Sequence, residues 1–360
     1  MSAVAVFVLI APCFSANVAS ARGGKAPTSY NLYFGDLHSH TSYSDGWEGT
    51  PWDAYAAAEA AGADYMAVTD HIGFWSAYSA FTITQDQWND TLAAAAHYTS
   101  KYFAALTGYE TWLQGGCGEV NVYNVPAYPP QGSLGNKWDR PTAFYDWLAQ
   151  QPGAVGQFNH PEYMTRDFED FAYLTPQRDA AMGVLEVFNA KLYEDSYVLA
   201  LDKGWHVMPS ANSDTHSPNW ISGYDERTVL MAEKLTPYDL YAAMRAGRGY
   251  ATLDKNLRIS YTLNGEVMGS TLAQMAQTYT AAIHIEDPDG VPSDAITLVE
   301  VVSDGGAVVA SVPTHGMTVD LTIPLASIGA HYYYIRISTA SGIDGAPGAT
   351  AWTAPVWTGR

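Results

Sequence analysis

The feature that most constrains this chain is the alternation of strand-length apolar runs with helical windows between residues 30 and 254. The predicted strands are 31–37, 64–69, 103–109, 119–125, 154–159, 183–188 and 206–211. The predicted helices are 51–61, 85–101, 140–151, 193–202 and 236–246. Strands that alternate with helices in this way favour a largely parallel sheet with helices outside it, an α/β fold. Periodicity alone does not separate a doubly wound sheet from a barrel, so both arrangements stay open at this point.

The pattern changes after residue 254. Apolar residues alternate with polar ones, and turn sequences such as Asn264-Gly265 separate the runs 257–263, 278–285, 295–303, 317–323 and 330–338. This pattern predicts a small antiparallel β-sandwich, in which 341–350 forms a Gly/Ala-rich loop. The sequence therefore predicts an α/β domain over 30–254 and a sandwich domain over 255–360.

The N-terminal segment is apolar over residues 3–16, which is too short to span a bilayer as a helix. Ala19-Ser20-Ala21 then matches the small-residue pattern of a signal-peptide cleavage site. We expect residues 1–21 to be a signal peptide and the mature protein to be secreted or periplasmic, with no stable membrane span. A buried N-terminal strand is the alternative, because no basic residue precedes the apolar run.

The chain is strongly acidic, with 37 Asp and Glu against 17 Lys and Arg and a formal net charge of −20. Such a chain repels a phosphate backbone, so we predict no nucleic-acid partner. A small anionic substrate can still bind where a metal ion reverses the local charge. Composition leaves the oligomeric state open.

Residue types that bind metals or transfer protons lie in or just after the last residues of the predicted strands. They are Asp36, His38, His40, Asp70, His71, Glu110, Asn159, His160, Glu186, Asn189, Asn212, Asp214 and His216. In parallel α/β folds the site forms at the carboxyl ends of the strands. We therefore expect these side chains to converge on one cavity.

Two pairs, His38-x-His40 and Asp214-x-His216, have the spacing of side chains on one side of an extended segment. Asp45 lies on the loop just after the first pair. Imidazoles combined with carboxylates suit Zn²⁺, Mn²⁺ or Fe²⁺, and a carboxylate that bridges two ions is typical of two-metal hydrolases. Each motif alone is common as a capped turn or a buried histidine, whereas the ordered set favours a metal centre.

The segments FGDLHSHTSYSDG, VTDH, GYE, NHPE and NSDTHS occur in this order, and the set resembles the PHP family (polymerase and histidinol phosphatase). The appended sandwich and the signal peptide are similar to the exported branch of that family, which includes carbaryl hydrolase. The resemblance implies a distorted (β/α)7 barrel that binds two or three divalent metal ions.

Position by position, the resemblance implies three groups of ligands: His38, His40, Glu110 and Asp214 for one ion, Glu110 and His160 for a second, and Asp45, His71 and His216 for a third. Asp70 would orient these ligands. Glu119 stands where family members commonly place a histidine. As an oxygen ligand it would favour a harder ion such as Mn²⁺; alternatively, the second site is weak or empty.

Hydrolysis is the chemistry that such a centre supports, because a metal ion lowers the pKa of bound water, which then attacks phosphorus or a carbonyl carbon. We predict a metal-dependent hydrolase of a small molecule, foremost a phosphoesterase. Asp214 is the candidate proton acceptor, and Asp70 is the candidate residue that orients the ligands. Arg166 and Lys191 are candidate phosphate ligands, although a charge in either position is more commonly a solvated surface charge. The alternatives are a hydrolase of a carbamate, ester or amide, and a non-catalytic exported binding protein.

Overall fold

A computed structural model describes residues 30–72, 82–113, 117–125, 127, 141–162, 167–343 and 346–359. The predicted signal peptide and Arg166 lie outside the described residues. Within them, no helix combines the length and the apolar character needed to cross a membrane.

The helices are α1 (Pro51–Ala60), α2 (Gln85–Tyr98), α3 (Pro141–Leu148), α4 (Asp167–Phe171), α5 (Pro176–Asp179), α6 (Glu194–Asp202) and α7 (Pro237–Arg245). Three of them, α1, α5 and α7, begin at a Thr-Pro pair. A threonine caps exposed backbone N–H groups, and proline suits the first helical position because it has no N–H to satisfy. The α4 turn is left-handed, with a φ of 53° at Phe168.

The strands of the N-terminal part are β1 (Asn31–Asp36), β2 (Tyr65–Val68), β3 (His71–Ile72), β4 (Ala104–Leu113), β5 (Gly118–Tyr123), β6 (Val155–Asn159), β7 (Met182–Asn189), β8 (Lys191–Leu192), β9 (Met208–Ala211), β10 (Arg227–Ala232) and β11 (Gly249–Thr252). Those of the C-terminal part are β12 (Arg258–Leu263), β13 (Glu266–Val267), β14 (Thr278–Glu286), β15 (Ile296–Ser303), β16 (Ala307–Gly316), β17 (Thr318–Ala326), β18 (Tyr332–Ile343), β19 (Ala346–Thr353) and β20 (Val356–Trp357).

One large sheet dominates this mixed α/β fold. Its order is β16-β15-β18-β19-β11-β10-β1-β2-β4-β5-β6-β7-β8, with β3 beside β4, β9 beside β7 and β20 beside β18. Pairing is parallel between β1 and β2, β2 and β4, β6 and β7, and β7 and β9. It is antiparallel between β4 and β5 and between β5 and β6.

The segments that follow β1 and β9 are hydrogen-bonded to each other. The backbone N–H of Asp214 donates to the carbonyl of His38 at 3.0 Å, and the N–H of His40 donates to the carbonyl of Thr215 at 2.9 Å. These bonds bring the carboxyl end of the first strand to the carboxyl end of a strand far along the chain. The predicted metal-binding motifs therefore meet at one edge of the sheet.

The strands after residue 255 divide between two sheets. β13, β12, β14 and β17 form a separate four-stranded antiparallel sheet, whereas β15, β16, β18 and β19 continue the large one. Ile259 and Ile285 of the small sheet share one buried hydrophobic cluster with Val301 and Ile337 of the large sheet. Because β11 pairs with β19, backbone hydrogen bonding is continuous across the predicted boundary at residue 254.

The predicted strands and helices occur with ends that shift by a few residues, but the predicted loop 341–350 is wrong. Its residues belong largely to the ends of β18 and to β19. A Gly/Ala-rich stretch has low intrinsic strand preference. Here the backbone hydrogen bonds to β18 on one side and β11 on the other determine its conformation.

Candidate metal centre

The most compact group of donor atoms comes from three distant parts of the chain. His38 Nε2 lies 3.2 Å from His40 Nε2, 3.2 Å from Glu110 Oε2 and 3.2 Å from Asp214 Oδ1. His40 Nε2 lies 3.3 Å from Glu110 Oε2 and 3.0 Å from Asp214 Oδ1. A regular tetrahedron with edges of this length has its centre about 2.0 Å from each corner, the distance at which Zn²⁺ binds nitrogen and oxygen. The donor set therefore fits a divalent ion.

Two buried ligand atoms lack a hydrogen-bond partner among the described residues. They are Asp214 Oδ1, which belongs to this group, and His40 Nδ1, which lies 3.7 Å from Asp45 Oδ1. Buried polar atoms are normally paired, because an unpaired one costs free energy on folding. Orphaned atoms at the centre of a cluster of imidazoles and carboxylates are expected where a cation completes the structure.

Glu110 lies at the middle of the centre, on β4. Its Oε2 lies 3.2 to 3.4 Å from nitrogens of His38, His40 and His71. Its Oε1 lies 3.3 Å from His160 Nε2 and accepts a hydrogen bond of 2.6 Å from Asn159 Nδ2. With one oxygen on each side, Glu110 has the position of a carboxylate that bridges two ions.

A second donor group lies beside the first and is more open to solvent. Asp45 Oδ2 lies 3.4 Å from His71 Nε2 and 3.3 Å from His216 Nε2. The Nδ1 atom of His216 faces the carbonyl of Asp214 at 2.8 Å, which directs Nε2 to the donor group. The side chains of Asp45 and His216 are 26% and 35% exposed, against 0% for His38, so small molecules reach the centre from this side.

Asp70 fixes the loop that carries Asp45 through hydrogen bonds. This buried carboxylate accepts hydrogen bonds from the backbone N–H of Thr41 at 2.7 Å, from its hydroxyl at 2.6 Å and from the Ser44 hydroxyl at 2.6 Å. Gly46 closes the loop, since a Cβ atom there would lie 2.6 Å from the Thr41 carbonyl carbon. The structure thus places Asp70 as a positioning residue with its oxygens engaged by the loop.

The third donor group contains Glu119, which stands on β5 opposite Asn159 of β6. Its Oε2 lies 3.5 Å from His160 Nε2, and it forms a candidate ligand group with His71 and Glu110. Burial, followed by the negative charge of Glu110, raises the pKa of Glu119 to about 7. A divalent ion beside it would favour the ionised carboxylate and displace the proton.

The imidazole pKa values show how the centre balances its charge without a metal. Burial disfavours protonated His40, but Asp214 and Glu110 outweigh it and raise its pKa to about 10. The pKa of His160 is raised to about 9, again against burial and mainly by Glu110. Burial opposes ionisation of Asp45, yet His216 and His71 lower its pKa. The carboxylates therefore stabilise positive charge at the centre, and either protons on the imidazoles or metal ions supply that charge.

Backbone strain accompanies two of the predicted ligands. Asp214 has a backbone φ of 49° and His160 a φ of 25°, values that residues other than glycine rarely adopt. The surrounding hydrogen bonds hold them there, including the bond from the His160 N–H to Glu186 Oε2 at 2.7 Å. Strained backbone of this kind is concentrated at functional sites.

Glu186 is a site residue to which the sequence analysis assigned no role. It is fully buried on β7, and its Oε1 lies 2.9 Å from His38 Nδ1. Because a carboxylate only accepts, His38 donates from Nδ1 and presents the Nε2 lone pair to the donor group. Glu186 also accepts from His160 N, Asn189, Asn212 and Gln157, so it orients ligands rather than binding an ion. Its place at a strand end was the only signal in the sequence.

The predicted substrate cations are not part of the donor groups. The ammonium of Lys191 pairs with Glu162 Oε2 at 2.9 Å and is 60% exposed. Arg166 lies outside the described residues. Among the described residues, the ion pairs of the donor groups join imidazoles to carboxylates.

Comparison with known proteins gives no matching family model and no matching curated protein. The chain is similar to a solved two-domain protein containing a predicted PHP-like metal-dependent phosphoesterase from Bacteroides vulgatus, with 16% identity, coverage of 94% of this chain and 100% of that chain, and a TM-score of 0.49. It is also similar to a candidate metal-dependent phosphoesterase from Bifidobacterium adolescentis, with 16% identity over 50% of this chain and 87% of that chain and a TM-score of 0.34. A GH30 endoxylanase from Clostridium papyrosolvens gives 10% identity over 83% of this chain and 96% of that chain, with a TM-score of 0.29.

Proposed function

We propose that this protein is a divalent-metal-dependent hydrolase and that its foremost substrate class is small phosphate esters. The observation that carries the proposal is the compact group formed by His38, His40, Glu110 and Asp214, in which each imidazole nitrogen lies 3.0 to 3.3 Å from the other three donor atoms. Such spacing leaves room for an ion at bonding distance from the donor atoms. Mn²⁺, Zn²⁺ and Fe²⁺ are the ions that suit this mixture of ligands.

The charge balance supports more than one ion. Five carboxylates belong to the candidate ligand groups around the histidines. Hydrogen bonds engage the oxygens of Glu186, and the charges of the other four, Asp45, Glu110, Glu119 and Asp214, balance those of two divalent cations. Divalent ions in such a centre supply Lewis acidity, which makes water nucleophilic at neutral pH and stabilises charge that develops on the substrate. Two donor groups contain the residues that the PHP resemblance implies for two of its ions, His38, His40, Glu110 and Asp214 for one and Asp45, His71 and His216 for the other. The group of Glu119 differs from the implied second site, because it combines Glu110 with His71 rather than with His160.

The exposure of the donor residues indicates which of them hold an ion and which of them face solvent. His38, His40 and Glu110 are almost fully buried, so they hold position, whereas the Asp214 side chain is 21% exposed. Asp214 is thus the member of the compact group that can receive a proton from water at the open side. Asp45 and His216, which are the most exposed donors, border the space where a substrate enters.

A second candidate function is the hydrolysis of a carbamate, ester or amide. The pairing of Lys191 with Glu162 favours it, because a phosphate monoester carries charge that enzymes usually bind with Arg or Lys as well as metal. A neutral carbonyl substrate needs no such cation.

Activity of the metal-loaded protein tests both functions. Protein reconstituted with Mn²⁺ or Zn²⁺ is assayed on p-nitrophenyl phosphate, bis-p-nitrophenyl phosphate and 1-naphthyl esters. We expect turnover of a phosphate ester, lost in His40→Ala and retained in His284→Ala, a matched histidine that lies in the small sheet and pairs with Asp320. Turnover of the naphthyl esters alone would favour the second candidate. No turnover of either class with metal bound would refute both and leave a binding protein.

We also propose the finer architecture that the PHP resemblance implies. The backbone bonds between the segments after β1 and β9 support a distorted (β/α)7 barrel over 30–254. The buried cluster shared by the two C-terminal sheets supports a sandwich over 255–360. The apolar run 3–16 and the Ala19-Ser20-Ala21 site support export and membership of the exported branch. N-terminal sequencing of the protein isolated from its native host would test cleavage after residue 21.

A further inference from the structure

A separate group of carboxylates lies where the chain crosses between the two sheets. Asp254 stands between β11 and β12, and Asp287 and Asp294 stand between β14 and β15. β11 and β15 belong to the large sheet, whereas β12 and β14 belong to the small one. One oxygen from each of the three carboxylates lies within 4.8 Å of the others, so two separate crossings meet at this point.

A buried oxygen without a partner lies in this group. Asp287 is only 3% exposed, and its Oδ2 has no hydrogen-bond partner in the described part of the chain. Its Oδ1 accepts from the backbone N–H of Asp289 at 3.1 Å. Asn256, two residues after Asp254, likewise has a buried Oδ1 without a partner, while its Nδ2 donates to Asp289 Oδ2 at 3.0 Å.

No basic side chain neutralises the group. Over the described ranges, no ion pair joins Asp254, Asp287 or Asp294 to a lysine, arginine or histidine; the nearby Arg258 pairs with Glu286 instead. Burial, followed by the charge of Asp254, raises the pKa of Asp287 to about 6. At neutral pH Asp287 is therefore mostly ionised, and an uncompensated buried carboxylate is costly.

We propose that Asp254, Asp287 and Asp294 bind Ca²⁺, which fastens the two crossings between the sheets. The donors are oxygens only, with no imidazole or thiolate, so they select a hard cation and differ from the histidine-rich centre. Oxygens bound to one Ca²⁺ ion at about 2.4 Å lie at most about 4.8 Å apart, so the three carboxylates are close enough to share an ion. Irregular loop ligands suit Ca²⁺ better than Mg²⁺, which demands a near-ideal octahedron.

Calorimetric titration of the full-length protein, already loaded with its transition metal, tests the site. We expect Ca²⁺ to bind with one equivalent per chain and Mg²⁺ to bind more weakly. Asp287→Asn removes the charge at constant shape, and its Ca²⁺ signal should be lost while transition-metal content and hydrolytic activity stay unchanged. Glu266→Gln is the matched control, an exposed acidic residue of the small sheet, and should keep the signal.

Thermal unfolding separates a cation site from a merely structural role. Without Ca²⁺, Asp287→Asn should melt at or above the wild-type temperature because repulsion is removed; with Ca²⁺ it should melt below it. Asp294→Asn, at a less buried position, should reproduce the loss of binding if Asp287→Asn does not fold. Absence of Ca²⁺ binding by the wild type, Ca²⁺ binding retained in both variants, or Mg²⁺ binding as tight as Ca²⁺ would each overturn the assignment.

Discussion

Glu186 offers the sharpest test of how the metal centre is built, because it binds no proposed ion yet contacts two proposed ligands. Its Oε1 accepts from His38 Nδ1 at 2.9 Å, and its Oε2 accepts from the His160 N–H at 2.7 Å. Further donors reach Oε1 at 2.9 and 3.2 Å and Oε2 at 3.0 Å; they are the side-chain amides of Asn212, Gln157 and Asn189.

The substitution Glu186→Gln replaces one acceptor oxygen by an NH₂ donor. Whichever way the amide turns, at least two buried donors then face another donor. At about 1–3 kcal/mol for each buried group left unpaired, the metal-free protein should lose roughly 2–6 kcal/mol of unfolding free energy. Loss of a partner that orients a metal ligand typically weakens metal affinity or activity about 10- to 100-fold.

Metal affinity by chelator competition, kcat/KM and urea unfolding measure these effects together. Glu300→Gln is a suitable control, since Glu300 accepts from Arg336 Nε at 2.9 Å in the C-terminal part of the large sheet, and it should leave affinity and kcat/KM unchanged. Wild-type metal affinity in Glu186→Gln, together with wild-type stability, would refute the role derived for Glu186.

Three further predictions follow from the same geometry. Asp70→Asn should release the loop that carries Asp45, so elemental analysis should show less metal per chain while the compact group stays loaded; unchanged stoichiometry would contradict this role. Asp214→Asn removes the negative charge of a proposed ligand and the proposed proton acceptor, and kcat should fall by about 100-fold or more; a change confined to KM would speak against it. In the metal-free protein, the stabilisation from protonated His40, whose pKa is raised to about 10, is complete below pH about 6.5 and is lost as the pH rises towards 10. Glu119, whose pKa is raised to about 7, adds to this loss as it ionises above pH about 4.5, so the melting temperature should fall between about pH 6 and 9 and saturating metal should suppress the fall. A melting temperature that rises over this range would show that the sign is wrong.

The local patterns of the chain determine much of the fold and of the centre. Helix positions follow from apolar periodicity and from Thr-Pro starts such as Thr50-Pro51, because capping and proline preference are properties of neighbouring residues. The donor types, and the pairing of His38 with His40 on one side of the chain, likewise depend on residues close in sequence.

Tertiary structure alone decided the rest, because it depends on contacts between residues far apart in the chain. The sequence alone assigned no role to Glu186, since its role depends on hydrogen-bond donors from β6 and from the segments after β1 and β9. Residues 346–353 are a strand only because β11 and β18 lie on either side of them. In the sequence, Glu119 occupies a position where the PHP pattern commonly has a histidine, and its role as a ligand was open. The tertiary structure packs its carboxylate beside His160 and Glu110, among the donor atoms. Local preference specifies which groups are available, whereas burial and strand register specify which of them meet.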